Sequence, residues 1–189
     1  MIEVRWHGRG GQGAKTAALL LAEAALGGGK YVQAFPEYGP ERMGAPVQSF
    51  DRIDDQPIRL HCGVTAPRIV VVLDPTLIDI VNVTQGLPDD GVLLINTAET
   101  PQALRQKLGI QGRKIYTIDA SLISKEEIGK DIPNTPMLGA LIKVTGIVDS
   151  ESFITDTRAK LEKKFKNKLA VVDGNMKAIL RAFKETKSE

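Results

Sequence analysis

Residues 2–35 read IEVRWHGRGGQGAKTAALLLAEAALGGGKYVQAF. From Ile2 to Trp6 apolar and charged side chains alternate, the period of a strand. Gly8-Arg9-Gly10-Gly11-Gln12-Gly13 then turns the chain. Residues 14–26 are helix formers, apolar nearly all round, which predicts a buried helix. The glycines at 27–29 stop it, and residues 30–35 predict a second strand. Strand, glycine loop, helix and strand in that order open a parallel sheet.

The same alternation continues. Residues 68–74, RIVVVLD, are almost wholly apolar, as a central parallel strand is. Further strands are expected at 91–97 and 114–120. Helices are expected from Pro75 through 84, at 101–109, 121–129 and 134–147, and twice within 149–185, the first opening at the capping pair Asp149-Ser150. Residues 47–53 and 57–61 flank Asp54-Asp55-Gln56 and read as a β-hairpin. The expectation is an α/β fold, doubly wound and Rossmann-like, with a mostly parallel sheet, a β-hairpin insert and C-terminal helices, in one domain over 1–189.

Composition narrows the chemistry. A length of 189 residues suits one domain, and 42% apolar with 25% charged residues is ordinary for a globular chain. No run approaches the roughly 18 apolar residues of a membrane span, and the N-terminus lacks a signal-peptide layout. A cytoplasmic location is expected. A net charge of +2 names no partner. The ten Lys/Arg against four Asp/Glu between 158 and 189 read as a solvated helix face rather than a nucleic-acid surface, since aromatic residues there are few. The single cysteine, Cys62, cannot supply the four thiolates of an iron–sulfur cluster or a zinc site and reads as a buried or inert thiol. His7 and His61 lack metal-ligand spacing. No metal site and no catalytic residue are expected on this chain.

The glycine loop nearly matches two phosphate motifs. Gly8 and Gly13 have P-loop spacing, but Ala14 separates Gly13 from Lys15, and one residue along a helix turns a side chain by about 100°. Gly8, Gly10 and Gly13 fill G-x-G-x-x-G between a strand and a helix, where bare backbone and the helix N-terminus suit a pyrophosphate. A dinucleotide site also wants an acid closing the second strand; Glu37 follows Pro36 and reads as loop. A tight strand-to-helix turn remains the plain alternative. His7, adjoining the loop, is placed to hydrogen-bond across it.

A second loop bears on this choice. PEYGPERMGAP, 36–46, holds three prolines and two glycines and is long for a connection. In a doubly wound sheet it emerges at the carboxyl edge beside the glycine loop, where ligands bind. It offers Arg42 as a phosphate fork and Tyr38 as a platform for an adenine or a pantetheine arm. With Arg9 and Lys15 these suggest a ligand carrying several phosphates. A subunit interface built on Tyr38, Glu41 and Arg42 is the competing and compatible reading. Asn134 and Thr135, N-capping a helix with Pro136 at N1, face the same crevice.

RWHGRGGQGAKTAA, YVQAFPEYGPERMGAPVQSF and IPNTPMLGALIKVTGIV, in this order across nearly the whole chain, resemble the gamma subunit of the pyruvate (2-oxoacid):ferredoxin oxidoreductases. The resemblance implies an enzyme that cleaves a 2-oxoacid with thiamine diphosphate, passes electrons through iron–sulfur clusters to ferredoxin, and transfers the acyl group to coenzyme A. It implies alpha-, beta- and delta-type partner subunits that hold thiamine diphosphate, magnesium and the clusters, with ferredoxin an indirect partner. Coenzyme A then lies at this chain's surface, with Gly8, Arg9, Gly10, Gly11, Gln12, Gly13, Tyr38, Glu41, Arg42 and Asn134 as candidate contacts. The chain is an inactive, non-catalytic subunit when alone, with no nucleic-acid or membrane partner. The alternative is a free-standing nucleotide-binding protein of NAD type.

Overall fold

A computed structural model describes residues 1–37, 44–166 and 168–189, apart from the side chain of Lys164. Among these, β1 (Ile2–Arg9), β2 (Tyr31–Glu37), β3 (Pro46–Asp54), β4 (Ile69–Val72), β5 (Val92–Asn96), β6 (Lys114–Ile118) and β7 (Lys187–Ser188) form one sheet in the order β2-β3-β1-β4-β5-β6-β7. β1, β4, β5 and β6 are mutually parallel. β3 runs antiparallel to both β1 and β2, so β2 points the same way as β1. β7 returns antiparallel along β6.

The expected α/β sheet is present, with two changes in its left half. The partner of residues 47–53 is β2, not 57–61. β3 is paired on one edge by β1 (Val4 opposite Asp51) and on the other by β2 (Ala34 opposite Asp51), which leaves no free backbone edge for a third strand. Residues 57–61 accordingly carry no strand and are mostly exposed. β2 also continues through Pro36 to Glu37, both of which the sequence put in the loop. A proline is tolerated there because β2 is the sheet's outer strand.

The helices are α1 (Ala14–Gly27), α2 (Pro101–Leu108), α3 (Ala120–Ile128), α4 (Asn134–Thr145), α5 (Ser150–Lys164) and α6 (Leu169–Glu185). The helix expected from Pro75 is only a 3-10 turn, Pro75–Asp79. α4 opens two residues earlier than Pro136 at N1 implied: Pro133 is the cap residue, and Asn134 accepts from the Thr135 amide on its side-chain oxygen at 2.8 Å.

Strand alternation builds a core on each face. Val4, Trp6, Val71 and Leu94 meet α1, α3, α4, α5 and α6 on one side. Val70, Val72, Leu93 and Ile95 meet Leu77 of the 3-10 turn and Leu104 of α2 on the other. α1 supplies small side chains, Ala17, Ala18 and Ala25 among them, and so packs close to β3 and β2. It is less buried than its composition suggests, since Leu19 and Leu26 are 42% and 59% exposed. Of the two expectations for Cys62, buried or inert, the structure rules out burial: the residue is exposed.

Candidate functional site

The chain leaves β1 toward β3 and β2 through α1, and leaves β4 toward β5 and β6 through the opposite face. The carboxyl ends of β1 and β4 therefore flank the switch point of the sheet, where open α/β folds form their ligand crevice. The glycine loop follows β1 there. Gly11 at φ +98° and Gly13 at φ +85° adopt the left-handed backbone that only glycine takes at little cost. α1 starts at Gly13 without a side-chain cap and with no acidic residue in its first turn, which leaves the positive end of its dipole uncompensated by side chains.

Arg9 closes β1, but its guanidinium turns inward. Nε donates to Asp74 Oδ2 at 3.1 Å, Nη2 to Thr76 Oγ1 at 2.8 Å and Nη1 to the Gly44 carbonyl at 3.0 Å. Gln12 joins the cluster from the loop: its Nε2 donates to the same Asp74 oxygen at 2.8 Å, while its Oε1 accepts from the Arg9 amide at 2.8 Å. Asp74 also accepts from the Thr76 hydroxyl and amide at 2.6 and 2.9 Å. Burial pushes the Asp74 carboxyl up, but the bonds from Thr76 and Gln12 and the charge of Arg9 prevail and hold it below the usual carboxylate range. Asp74 is thus an ionised hub across the mouth of the crevice.

The second loop meets this hub at its far end. The Gly10 amide donates to the Ala45 carbonyl at 3.2 Å, next to the Gly44 carbonyl that Arg9 holds. Tyr38, Glu41 and Arg42 lie outside the described residues. Asn134 closes the loop's other side: a β-carbon on Gly13 would stand 2.6 Å from its Nδ2. The structure therefore brings Gly8, Arg9, Gly10, Gly11, Gln12, Gly13 and Asn134 together, with Lys15 on the first turn of α1.

His7 does not bridge the loop. It is 3% exposed, its Nε2 has no hydrogen-bond partner among the described residues, and burial with the adjacent Arg5 charge lowers its pKa to about 4. Arg5, held below its ordinary value by burial, donates to the Val83 and Gln85 carbonyls at 3.0 and 2.6 Å.

Sequence reasoning missed the part of Asp74 in this cluster, together with Thr76, Gly44 and Ala45. The available signal was Asp-Pro-Thr directly after an apolar strand, a capping sequence at a strand's carboxyl end.

The geometry also removes the basis of the dinucleotide alternative. In that fold the acid that holds the ribose closes the strand next to β1. Here the neighbour is β3, running the other way and beginning at Pro46 opposite Arg9. Glu37 stands two strand spacings from β1, about 9–10 Å.

No helix of the described residues is long and apolar enough to cross a membrane. No cluster of three or more His, Cys, Asp or Glu among them has the arrangement of a metal site.

Comparison with known proteins agrees with the motif pattern. The model of the family described as pyruvate ferredoxin/flavodoxin oxidoreductase matches residues 3–185. The pyruvate synthase subunit PorC of Thermotoga maritima is 50% identical over 186 residues, 98% of this chain and 95% of that one. The pyruvate/ketoisovalerate oxidoreductases common subunit gamma of Thermococcus litoralis is 50% identical over 190 residues, 98% and 97% of the two chains. The crystal structure of the T. maritima pyruvate oxidoreductase subunit PORC superposes with a TM-score of 0.87 at 47% identity, covering 100% of this chain and 98% of that one.

Proposed function

The chain belongs to the pyruvate ferredoxin/flavodoxin oxidoreductase family, and from that premise we propose that it works as the gamma subunit of a 2-oxoacid:ferredoxin oxidoreductase. Its part is to hold coenzyme A and to help assemble the complex, while thiamine diphosphate, magnesium and the iron–sulfur clusters sit on alpha-, beta- and delta-type partners. It acts in the cytoplasm, as one domain, and is catalytically silent alone. One exposed cysteine in the whole chain fits a reducing compartment and cannot ligate a cluster.

The observation that carries the coenzyme A reading is the meeting of two loops at the switch point. The Gly8–Gly13 turn and the end of the 36–46 stretch are joined by the bonds from Gly10 to Ala45 and from Arg9 to Gly44. Beside them lies a helix N-terminus with no side-chain cap and no early acid, a place for an anion. Backbone amides and the α1 dipole suit its phosphates, and by residue type alone Arg42 and Tyr38 offer a fork and a stacking face. Held so, an acyl acceptor gains its rate from positioning, its thiol presented to chemistry performed on another chain.

The test is capture of the chain from its host under anaerobic conditions, followed by an assay of pyruvate- and coenzyme A-dependent reduction of an electron acceptor. Thiamine- and cluster-bearing chains are expected to co-purify with activity. The Arg42→Ala complex is expected to need about tenfold more coenzyme A, by loss of one charged phosphate contact, with its pyruvate requirement unchanged. A chain recovered alone and without activity overturns the subunit reading. An unchanged coenzyme A requirement overturns the placement of the acceptor at this loop.

A further inference from the structure

We infer that Asp74, together with Arg9, is a positioning residue for the acyl-acceptor site: the pair fixes the stem of the 36–46 stretch against the glycine loop. The inference rests on the coenzyme A reading above and assigns a different task to different residues. Arg9 reads in sequence as one more cation for a phosphate. In the structure its three donor groups are taken by Asp74, Thr76 and the Gly44 carbonyl. It ties two side chains of the β4 end to one backbone carbonyl of the second loop.

The arrangement is specific in three respects. First, Asp74 receives both Arg9 Nε and Gln12 Nε2 on one oxygen, Oδ2, and the Thr76 hydroxyl and amide on the other, Oδ1, so a single carboxylate orients both side chains that the glycine loop sends across the crevice. Second, Gln12 returns its Oε1 to the Arg9 amide, which makes loop and clasp one unit. Third, Arg9 passes this order on through Gly44, at φ +84°, one residue before the Ala45 carbonyl that Gly10 holds. Gly44 and Ala45 are thus held at a point set by Asp74. Arg9 and Asp74 side chains are 29% and 12% exposed, so water competes only partly for these bonds.

A residue that acts through such a stem changes acceptor affinity more than chemistry, and loss of an outer partner of this kind costs about 10- to 100-fold in the function it supports. The experiment uses the assembled complex with Asp74→Asn, Arg9→Gln, both together, and Arg42→Ala. Asparagine keeps the shape of Asp74 and removes its charge. Each single variant of the pair is expected to raise the KM for coenzyme A about tenfold, with kcat and the KM for pyruvate held. The double variant is expected to be no worse than the poorer single one, because both residues act through one clasp. Thr76→Val, which removes one bond to each of Arg9 and Asp74, is a milder second probe expected to shift the same KM about twofold; it keeps the proposal testable if a charge variant fails to assemble.

If Arg42→Ala raises the KM for coenzyme A while the Asp74, Arg9 and Thr76 variants do not, the clasp is overturned and the acceptor site stands. Additive effects of the pair also overturn it. If the clasp variants raise that KM and Arg42→Ala does not, the clasp stands and the acceptor contact moves off Arg42. A fall in kcat with no change in either KM overturns the positioning role.

Discussion

Gly13 shows how much one residue carries at this site. It combines φ +85° with a gap too small for a β-carbon, since Asn134 Nδ2 and Cγ stand 2.6 and 3.0 Å from where that carbon would be. Asn134 is itself buried, so it cannot swing into solvent. Gly13→Ala adds left-handed strain of about 1–2 kcal/mol to overpacking of about 1–3 kcal/mol. Gly11 has φ +98° and open space around it, so Gly11→Ala adds the strain alone. Urea unfolding of the two variants should separate them, Gly13→Ala losing clearly more; equal losses would mean that Asn134 yields.

His7 and Asp51 give opposite pH signatures. Burial, with Arg5 beside it, lowers the His7 pKa to about 4, whereas an unfolded imidazole titrates near 6.5. Between those values the unfolded chain takes up a proton the folded one refuses. Stability from this group is complete above about 6.5 and is lost as pH falls toward 4, up to about 3 kcal/mol. Asp51 is fully buried, with Oδ2 on Trp6 Nε1 at 2.7 Å and Oδ1 unpartnered among the described residues. Burial raises its carboxyl well above the usual range, outweighing the Trp6 bond. Its contribution is therefore complete below the ordinary carboxylate pKa and is lost as pH rises. Melting curves across pH are expected to lose the rise between 4 and 6.5 in His7→Gln. In Asp51→Asn, which keeps an acceptor for Trp6, the midpoint at pH 7 should increase. A lower midpoint at pH 7 would mean that Asp51 is ionised in the fold.

At the scale of elements, period and punctuation carried most of the reading. β4 and β5 carry continuous apolar runs because both faces are covered, and α2 ends at a left-handed Gly109 as its glycine implied. What failed was pairing. Asp54-Asp55-Gln56 has the look of a hairpin turn, while the strands that pair as neighbours in sequence are β2 and β3, joined across the long 36–46 stretch that reads as a ligand loop rather than a hairpin connection. Strand pairing is decided by which edges are already taken, and periodicity is blind to that. Helix contacts were equally hidden. Gly174 in α6 sits so close to α3 that a β-carbon would lie 2.3 Å from the Glu127 carbonyl oxygen, a backbone atom that cannot rotate away. Gly174→Ala should force α6 off α3 and cost about 1–3 kcal/mol, although alanine is the better helix former. Urea titration checks it, and a stabilised variant would show that α6 sits farther from α3 than this.

At the scale of the whole molecule, the three motifs made the family legible because each is a contiguous string. The candidate site was legible only in part. The glycine loop announces itself, but the clasp joins residues 65 apart, Arg9 and Asp74, and only the adjacency of β1 and β4 puts them together. The division of labour that follows can be tested on the entire assembly. On the function proposed above, this chain brings the acceptor platform, and the thiamine-dependent attack on the 2-oxoacid and the first electron transfer belong to its partners. A complex reconstituted without this chain should still reduce a one-electron acceptor on adding 2-oxoacid, in a burst limited to the enzyme present. Its coenzyme A-dependent turnover should fall by a factor on the order of 100 or more, because an acceptor held in place is replaced by one that must collide. Adding the purified chain should restore turnover in proportion to its incorporation. Loss of the burst itself would show that the chain is needed to build the decarboxylating site, and the acceptor platform would then be the lesser part of its work.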